Sequence, residues 1–162
     1  MSRGHGNQGD ALGLYTPDQR RRRDQSKWTI VQGVLAPLQF LVFLISLFLV
    51  FRYLATGIGY EAATFSILVK TAVLYVIMVT GAIWEKVVFG QYLLAPAFFW
   101  EDVISFFVIA LHTLYVIVLL TNFLPPASQM VIALAAYALY VVNAAQFLAK
   151  LRRARLQAQV AA

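Results

Sequence analysis

The sequence predicts an all-α fold: an integral membrane four-helix bundle with both termini on the cytoplasmic side. Three observations carry this. Of 162 residues, 61% are hydrophobic and only 12% are charged, against about half and about a quarter in soluble domains. The apolar residues fall into four runs, each near the ~20 residues that cross a bilayer as a helix. The Lys and Arg residues, which give a net charge of +6, gather at the two ends.

Residues 1–27 read as a basic cytoplasmic N-terminal segment, with the Gly-rich stretch Met1 to Leu14 expected to be disordered. No apolar core lies near the start, so no signal peptide is expected. Residues 28–150 form the membrane domain. Its first span runs from about Val31 to Tyr53, with Pro37 in the first turns, where a missing N–H is best tolerated. Gly57 and Gly59 make a short turn into the second span, about Ala62 to Val88. Phe89 to Phe99, with Gly90 and Pro96, reads as a connector lying in the interface. The third span is about Glu101 to Thr121. Pro125 and Pro126 break the chain, and the fourth span, about Ser128 to Leu148, leads into a basic cytoplasmic tail, 151–162.

The orientation rests on the basic runs. Arg20 to Arg23 and Lys27 precede the first span, and Lys150, Arg152, Arg153 and Arg155 close the last. Between Trp28 and Ala149 only Arg52, Lys70 and Lys86 occur. An excess of Lys and Arg beside spans marks the cytoplasmic face. With hydrophobic spans adjoining both runs, the basic residues meet anionic headgroups of membrane lipid, and no nucleic-acid partner is expected. With no Cys, disulfides, thiolate nucleophiles and Cys-ligated metals are excluded. His5 and His112 are too few for a multi-His metal site.

Ionisable and polar side chains inside a span are costly and point to function. Moving about 11 residues inward from Trp28, Glu85, Glu101 and Lys150, roughly 16 Å at 1.5 Å per residue, reaches Gln39, Leu74 and Tyr75, His112, and Leu139 and Tyr140. One polar-capable side chain from each helix thus shares a mid-membrane layer. Helical spacing gathers Gln32, Gln39, Phe43 and Ser46 on one face of the first span, and Thr71, Tyr75, Met78, Ala82 and Glu85 on one face of the second. Glu101, Ser105, Val108, His112 and Tyr115 share a face of the third, and Tyr140, Asn143 and Gln146 a looser stripe of the fourth. Such stripes turn inward because lipid cannot satisfy them. They either hydrogen-bond the helices together or build a site. A buried imidazole such as His112 can also ligate a metal or carry protons. Lys70 either snorkels or faces the interior, and takes no assigned role.

The densest chemistry is Trp84-Glu85-Lys86 with Phe98-Phe99-Trp100-Glu101-Asp102, where the second span ends and the third begins. Aromatic belts and capping carboxylates also produce such a pattern. Three carboxylates beside one Lys in a poorly hydrated setting are more than that pattern needs. They favour a neutral acid next to an ionised base.

The runs YTPDQRRRRDQSKWTIVQGVLAPLQFLVF, MVTGAIWEKVVFGQYLLAPAFFWEDV and ALHTLY resemble the vinyl bacteriochlorophyllide hydratases, over about Tyr15 to Leu156. The resemblance implies a multi-pass enzyme of the bacterial inner, photosynthetic membrane. It implies addition of water to the 3-vinyl group of chlorophyllide a or 3-vinyl bacteriochlorophyllide a, giving the 3-(1-hydroxyethyl) pigment. The Mg-chlorin is then the partner, and contact with other pigment-biosynthesis enzymes is a further one. No residue role is carried over; roles follow from laying the chemistry against the residues. Hydration needs an acid, a base, a held water and a flat apolar slot, and no cofactor. Glu85 and Glu101 are expected to share the acid and base roles, with Asp102 in support. Trp84 and Trp100 are expected to pack on the macrocycle, and Gln39, Tyr75, Tyr140 and Asn143 to line the slot. His112 is expected either to ligate the substrate magnesium or to relay protons; the protein alone is expected to bind no metal. Glu101 and His112 lie about 16 Å apart along their helix, a long reach for one pigment. A non-catalytic pigment-binding or photosystem assembly protein is the alternative, and a small transporter a third, disfavoured by the lack of an internal repeat.

Overall fold

The computed structural model describes residues 13–160 and is all-helical, with five helices among those residues. The disorder expected for Met1 to Leu14 falls mostly on 1–12, outside the described residues. Leu14 packs beside Tyr15, Val88 and Phe98.

A short helix that the hydropathy pattern did not predict precedes the spans: α1, Pro17–Gln25. Its start is a capping box. Thr16 Oγ1 accepts from the Gln19 N–H at 3.2 Å, and Gln19 Oε1 accepts from the Thr16 N–H at 2.9 Å. The signature Thr16-Pro17-Asp18-Gln19 was legible in the sequence. With no apolar stripe, α1 carries no periodicity to betray it. Ser26 ends α1 and caps the next helix, its hydroxyl accepting from the Trp28 N–H.

The four long helices are α2 (Lys27–Thr56), α3 (Tyr60–Phe89), α4 (Phe99–Thr121) and α5 (Pro126–Val160). Each contains a stretch long and apolar enough to cross a membrane. Each encloses its predicted span, and α5 runs well past Leu148, so the basic residues after Lys150 are helical. Pro37 sits within α2. Left-handed glycines end α2 at Gly57 (φ 70°) and α3 at Gly90 (φ 87°), conformations that a side chain would strain. Pro126 opens α5, where a missing N–H costs nothing. Large apolar side chains such as Phe48, Phe65 and Leu120 lie on the outside. Such a surface suits lipid, not water.

The helices pair as two antiparallel hairpins, α2 on α3 and α4 on α5, with fewer residues joining one hairpin to the other. At one end the hairpins close. Val50, Ala63, Ile67, Val108, Met130, Ala133 and Ala136 are buried there, and the small alanines let the helices approach. Ser46 hydrogen-bonds Ser66 (2.8 Å) and Tyr137 (2.5 Å), tying α2, α3 and α5 together. Toward the other end the hairpins diverge, and the space between them is the site.

Candidate active site

A cavity of about 1370 Å³ opens between the hairpins, above the common 300–1,000 Å³ range of small-molecule pockets. Its walls are mostly apolar. Gln39, Leu74 and Tyr140 lie at its inner end, and Arg20, Arg23 and Arg155 at its mouth. Tyr15 closes one side, stacked on Phe89 and lying beneath the Arg23 guanidinium, 4.6 Å from the ring centre. Burial pushes the Tyr15 phenol up, so its hydroxyl stays neutral.

Two carboxyl groups face this space. Glu85 arrives from the last turn of α3 and Asp102 from the first turn of α4. Both are nearly fully buried, and two adjacent connector residues hold them side by side. The connector between the helices holds them. The Ala95 N–H donates to Glu85 Oε2 at 3.2 Å and the Leu94 N–H to Asp102 Oδ2 at 2.7 Å. Leu94 takes a left-handed conformation (φ 58°), a cost the surrounding structure must impose. A carboxyl–carboxylate hydrogen bond needs one proton between its partners. Two buried carboxyls held this close disfavour a second negative charge, and one proton shared between them would set an acid beside a base.

Glu101 stands elsewhere. It is buried in an ion pair with Lys150 (2.6 Å) and is not on the cavity wall. One residue along a helix turns the side chain by about 100°, so adjacent Glu101 and Asp102 cannot both face the cavity. Lys150 also donates to the Ala97 carbonyl oxygen. The Glu101 carbonyl accepts from Ser105 Oγ and from Asn143 Nδ2, both at 2.8 Å, and Ser105 Oγ lies 3.1 Å from Asn143 Oδ1. Ser105 and Asn143 do line the cavity and present polar atoms near the carboxyl pair.

Trp84 lies on the wall, its indole N–H donating to Thr29 Oγ1 at 2.9 Å and its ring edge-on to Phe89 and Phe98. Trp100 does not. It is 67% exposed, edge-on to Phe99 on the outer surface; Phe98 fills the interior beside Trp84 instead. Tyr75 also points away from the cavity, bonded to Thr113. The inward arc of α3 is centred on Ser66, Lys70 and Leu74. Of the predicted α3 stripe, Thr71 is buried and Met78, Ala82 and Glu85 line the cavity, so Tyr75 is its one member that turns outward.

The mid-membrane layer is partly as expected. Gln39 and Tyr140 reach the inner end of the cavity. His112 lies deeper, fully buried, its Nδ1 2.8 Å from the Val108 carbonyl oxygen, its ring beside Tyr137 and off the wall. The stripe Glu101, Ser105, Val108, His112 and Tyr115 is buried throughout, as its spacing requires.

Residues 15–153 match the family model described as 2-vinyl bacteriochlorophyllide hydratase. Two curated proteins of that name are similar over nearly their whole lengths. The protein from Cereibacter sphaeroides is 71% identical over 148 residues, covering 91% of this chain and 92% of its own. The protein from Rhodobacter capsulatus is 70% identical over 145 residues, covering 90% of this chain and 84% of its own. No solved structure matches. On sequence and on extent, this chain belongs to the 2-vinyl bacteriochlorophyllide hydratase family.

Proposed function

We propose that the protein is a membrane hydratase that adds water to the vinyl group of a magnesium chlorin, chlorophyllide a or 3-vinyl bacteriochlorophyllide a. The 2-vinyl position in the older numbering of the macrocycle is the 3-vinyl position in the current one. The observation that carries the mechanism is the Glu85–Asp102 pair on the wall of a large apolar cavity.

The proton held by the pair passes to the terminal vinyl carbon, where the π electrons form the new C–H bond. Positive charge develops on the inner carbon and spreads into the macrocycle. Water attacks that carbon, and its surplus proton returns to the carboxylate pair. One water has been added and the pair again holds one proton, so no redox partner is needed. Ser105 and Asn143 are placed to hold the water, and Trp84 offers a flat wall for the ring. A protein that merely carried pigment would have no use for a shared proton among the aromatic walls. Glu101 acts as a positioning residue: paired with Lys150, it fixes Ser105 and Asn143 through its carbonyl oxygen.

The membrane is read as the inner, photosynthetic membrane of a bacterium, with both termini cytoplasmic. The basic residues beside α1 and α5 support that orientation, and the α2–α3 and α4–α5 connections contain no Lys or Arg. The cavity mouth then faces the cytoplasmic interface. The test is direct: membranes containing the chain receive chlorophyllide a, and products are separated and weighed by mass spectrometry. A product heavier by one water supports the reading. Folded, pigment-binding protein that yields none across substrate and pH overturns it.

A further inference from the structure

Lys70 is completely buried, and its Nζ has no hydrogen-bond partner. Among the described residues no acidic side chain pairs with it. Its ammonium instead sits in an aromatic cage, 3.6 Å from the Tyr140 ring centre, 5.4 Å from Tyr137 and 5.7 Å from Phe43. Cation–π contact offsets part of the cost of a buried charge. An ammonium in a membrane interior still calls for an anion. Nothing in the hydration chemistry above uses it.

Its position suggests the anion. Tyr140, which covers the ammonium, is itself cavity wall, and no hydrogen bond among the described residues holds its hydroxyl. Gln39 lies at the same inner end, buried, with both amide atoms unpartnered. One lysine and one amide N–H, both unmatched, are what a carboxylate with two oxygens accepts from. The ammonium lies against Tyr140, one helical turn (~4.5 Å of rise) from Asn143, and Asn143 bonds the carbonyl of Glu101, the neighbour of Asp102, so the lysine sits below the carboxyl pair on the same side of the cavity. A chlorophyllide, unlike an esterified chlorophyll, has a free propionate, carried on the pyrrolic ring next to the one that bears the vinyl group and directed away from it.

We propose that Lys70, with Gln39, is the subsite for the free propionate carboxylate of the substrate, and that it selects the acid over the ester. This rests on reading the cavity as the pigment site. When the pigment enters, the Tyr140 ring swings off the ammonium and the carboxylate takes its place. The vinyl group is then at the Glu85–Asp102 end.

The test compares chlorophyllide a with its methyl ester, titrated by the pigment absorbance into wild-type, Lys70→Met and Lys70→Arg proteins in nanodiscs of neutral lipid. Wild type is expected to bind the acid about thirtyfold or more tightly than the ester, the lower bound for truncating one partner of a buried charge pair. Lys70→Met should lose that preference while its ester affinity stays unchanged; Lys70→Arg should restore part of it. Equal binding of acid and ester by wild type overturns the inference, even if Lys70→Met fails to fold. So does a preference that persists in Lys70→Met. Acid and ester hydrated at equal rates with equal affinity would remove the Lys70 role and leave the hydratase standing. Neither pigment binding at all would take down the reading of the cavity, and this inference with it.

Discussion

Glu85→Gln separates chemistry from binding most cleanly. The substitution is isosteric, and the amide oxygen of glutamine can still accept from the Ala95 N–H, now 3.2 Å from Glu85 Oε2. The amide N–H then donates to Asp102, which stays ionised. The site keeps its base and loses its acid. Removal of a positioned acid costs about 10²–10⁴ in rate, or about 3–5 kcal/mol of barrier. The cavity changes by one atom type in about 1370 Å³, so pigment affinity should stay within about threefold. Single-turnover assays in nanodiscs, with pigment in excess of its dissociation constant and products resolved by chromatography, read the chemical step alone. Asp102→Asn should fall in the same range. Because the two groups share one proton, the double variant should be little slower than the slower single one. A Glu85→Gln protein that binds pigment and retains more than about a tenth of the wild-type rate would refute the shared-proton pair.

Three further outcomes are expected. Ala82→Trp puts an indole in the cavity wall one turn from Glu85, and pigment affinity, followed by absorbance, should drop about tenfold or more; an unchanged affinity would place the pigment elsewhere. Ser46→Ala breaks the Ser66–Ser46–Tyr137 chain and should lower unfolding stability by about 0.6 kcal/mol, with about 1.7 as the upper range for membrane hydrogen bonds; a stabilised variant in detergent unfolding would contradict the chain's role. The chain has no cysteine, so single cysteines report orientation: in inverted vesicles an impermeant maleimide should label Gln159→Cys and spare Ile58→Cys, and in right-side-out vesicles the reverse. Labelling of both from one side would refute the paired cytoplasmic ends.

Much of this molecule is written in periodicity. The four spans follow from run length, and the buried stripe of α4 from residues at i, i+4, i+7, i+11 and i+14. Other features are local but easily overlooked. The capping box of α1 needs only four residues, Thr16 to Gln19. Where a sequence reading placed the wrong neighbour, the error was angular. Trp100 and Phe98, Glu101 and Asp102, and Tyr75 and Leu74 are one or two residues apart, yet a helix turns about 100° per residue. Phe98 and Leu74 are buried where Trp100 and Tyr75 are exposed, and of the two buried carboxylates only Asp102 lines the cavity. Lys70, left between snorkelling and facing the interior by the sequence, is buried one turn before Leu74 on the inward arc of α3.

The sequence alone determined that the chain is helical, that four helices are apolar enough to span, and that carboxylates gather at Glu85 and Glu101–Asp102, where α3 ends and α4 begins. Hydropathy and charge are properties of residue type, and a bilayer reads them without reference to the fold. The tertiary structure decided which carboxylate joins Glu85. It also decided that Lys150 neutralises Glu101, that a large cavity separates the hairpins, and that Lys70 ends beneath it in a cage of rings. Each of these depends on how one helix is rotated against another. That rotation is set by side-chain packing between segments far apart in the chain, which no single helix contains.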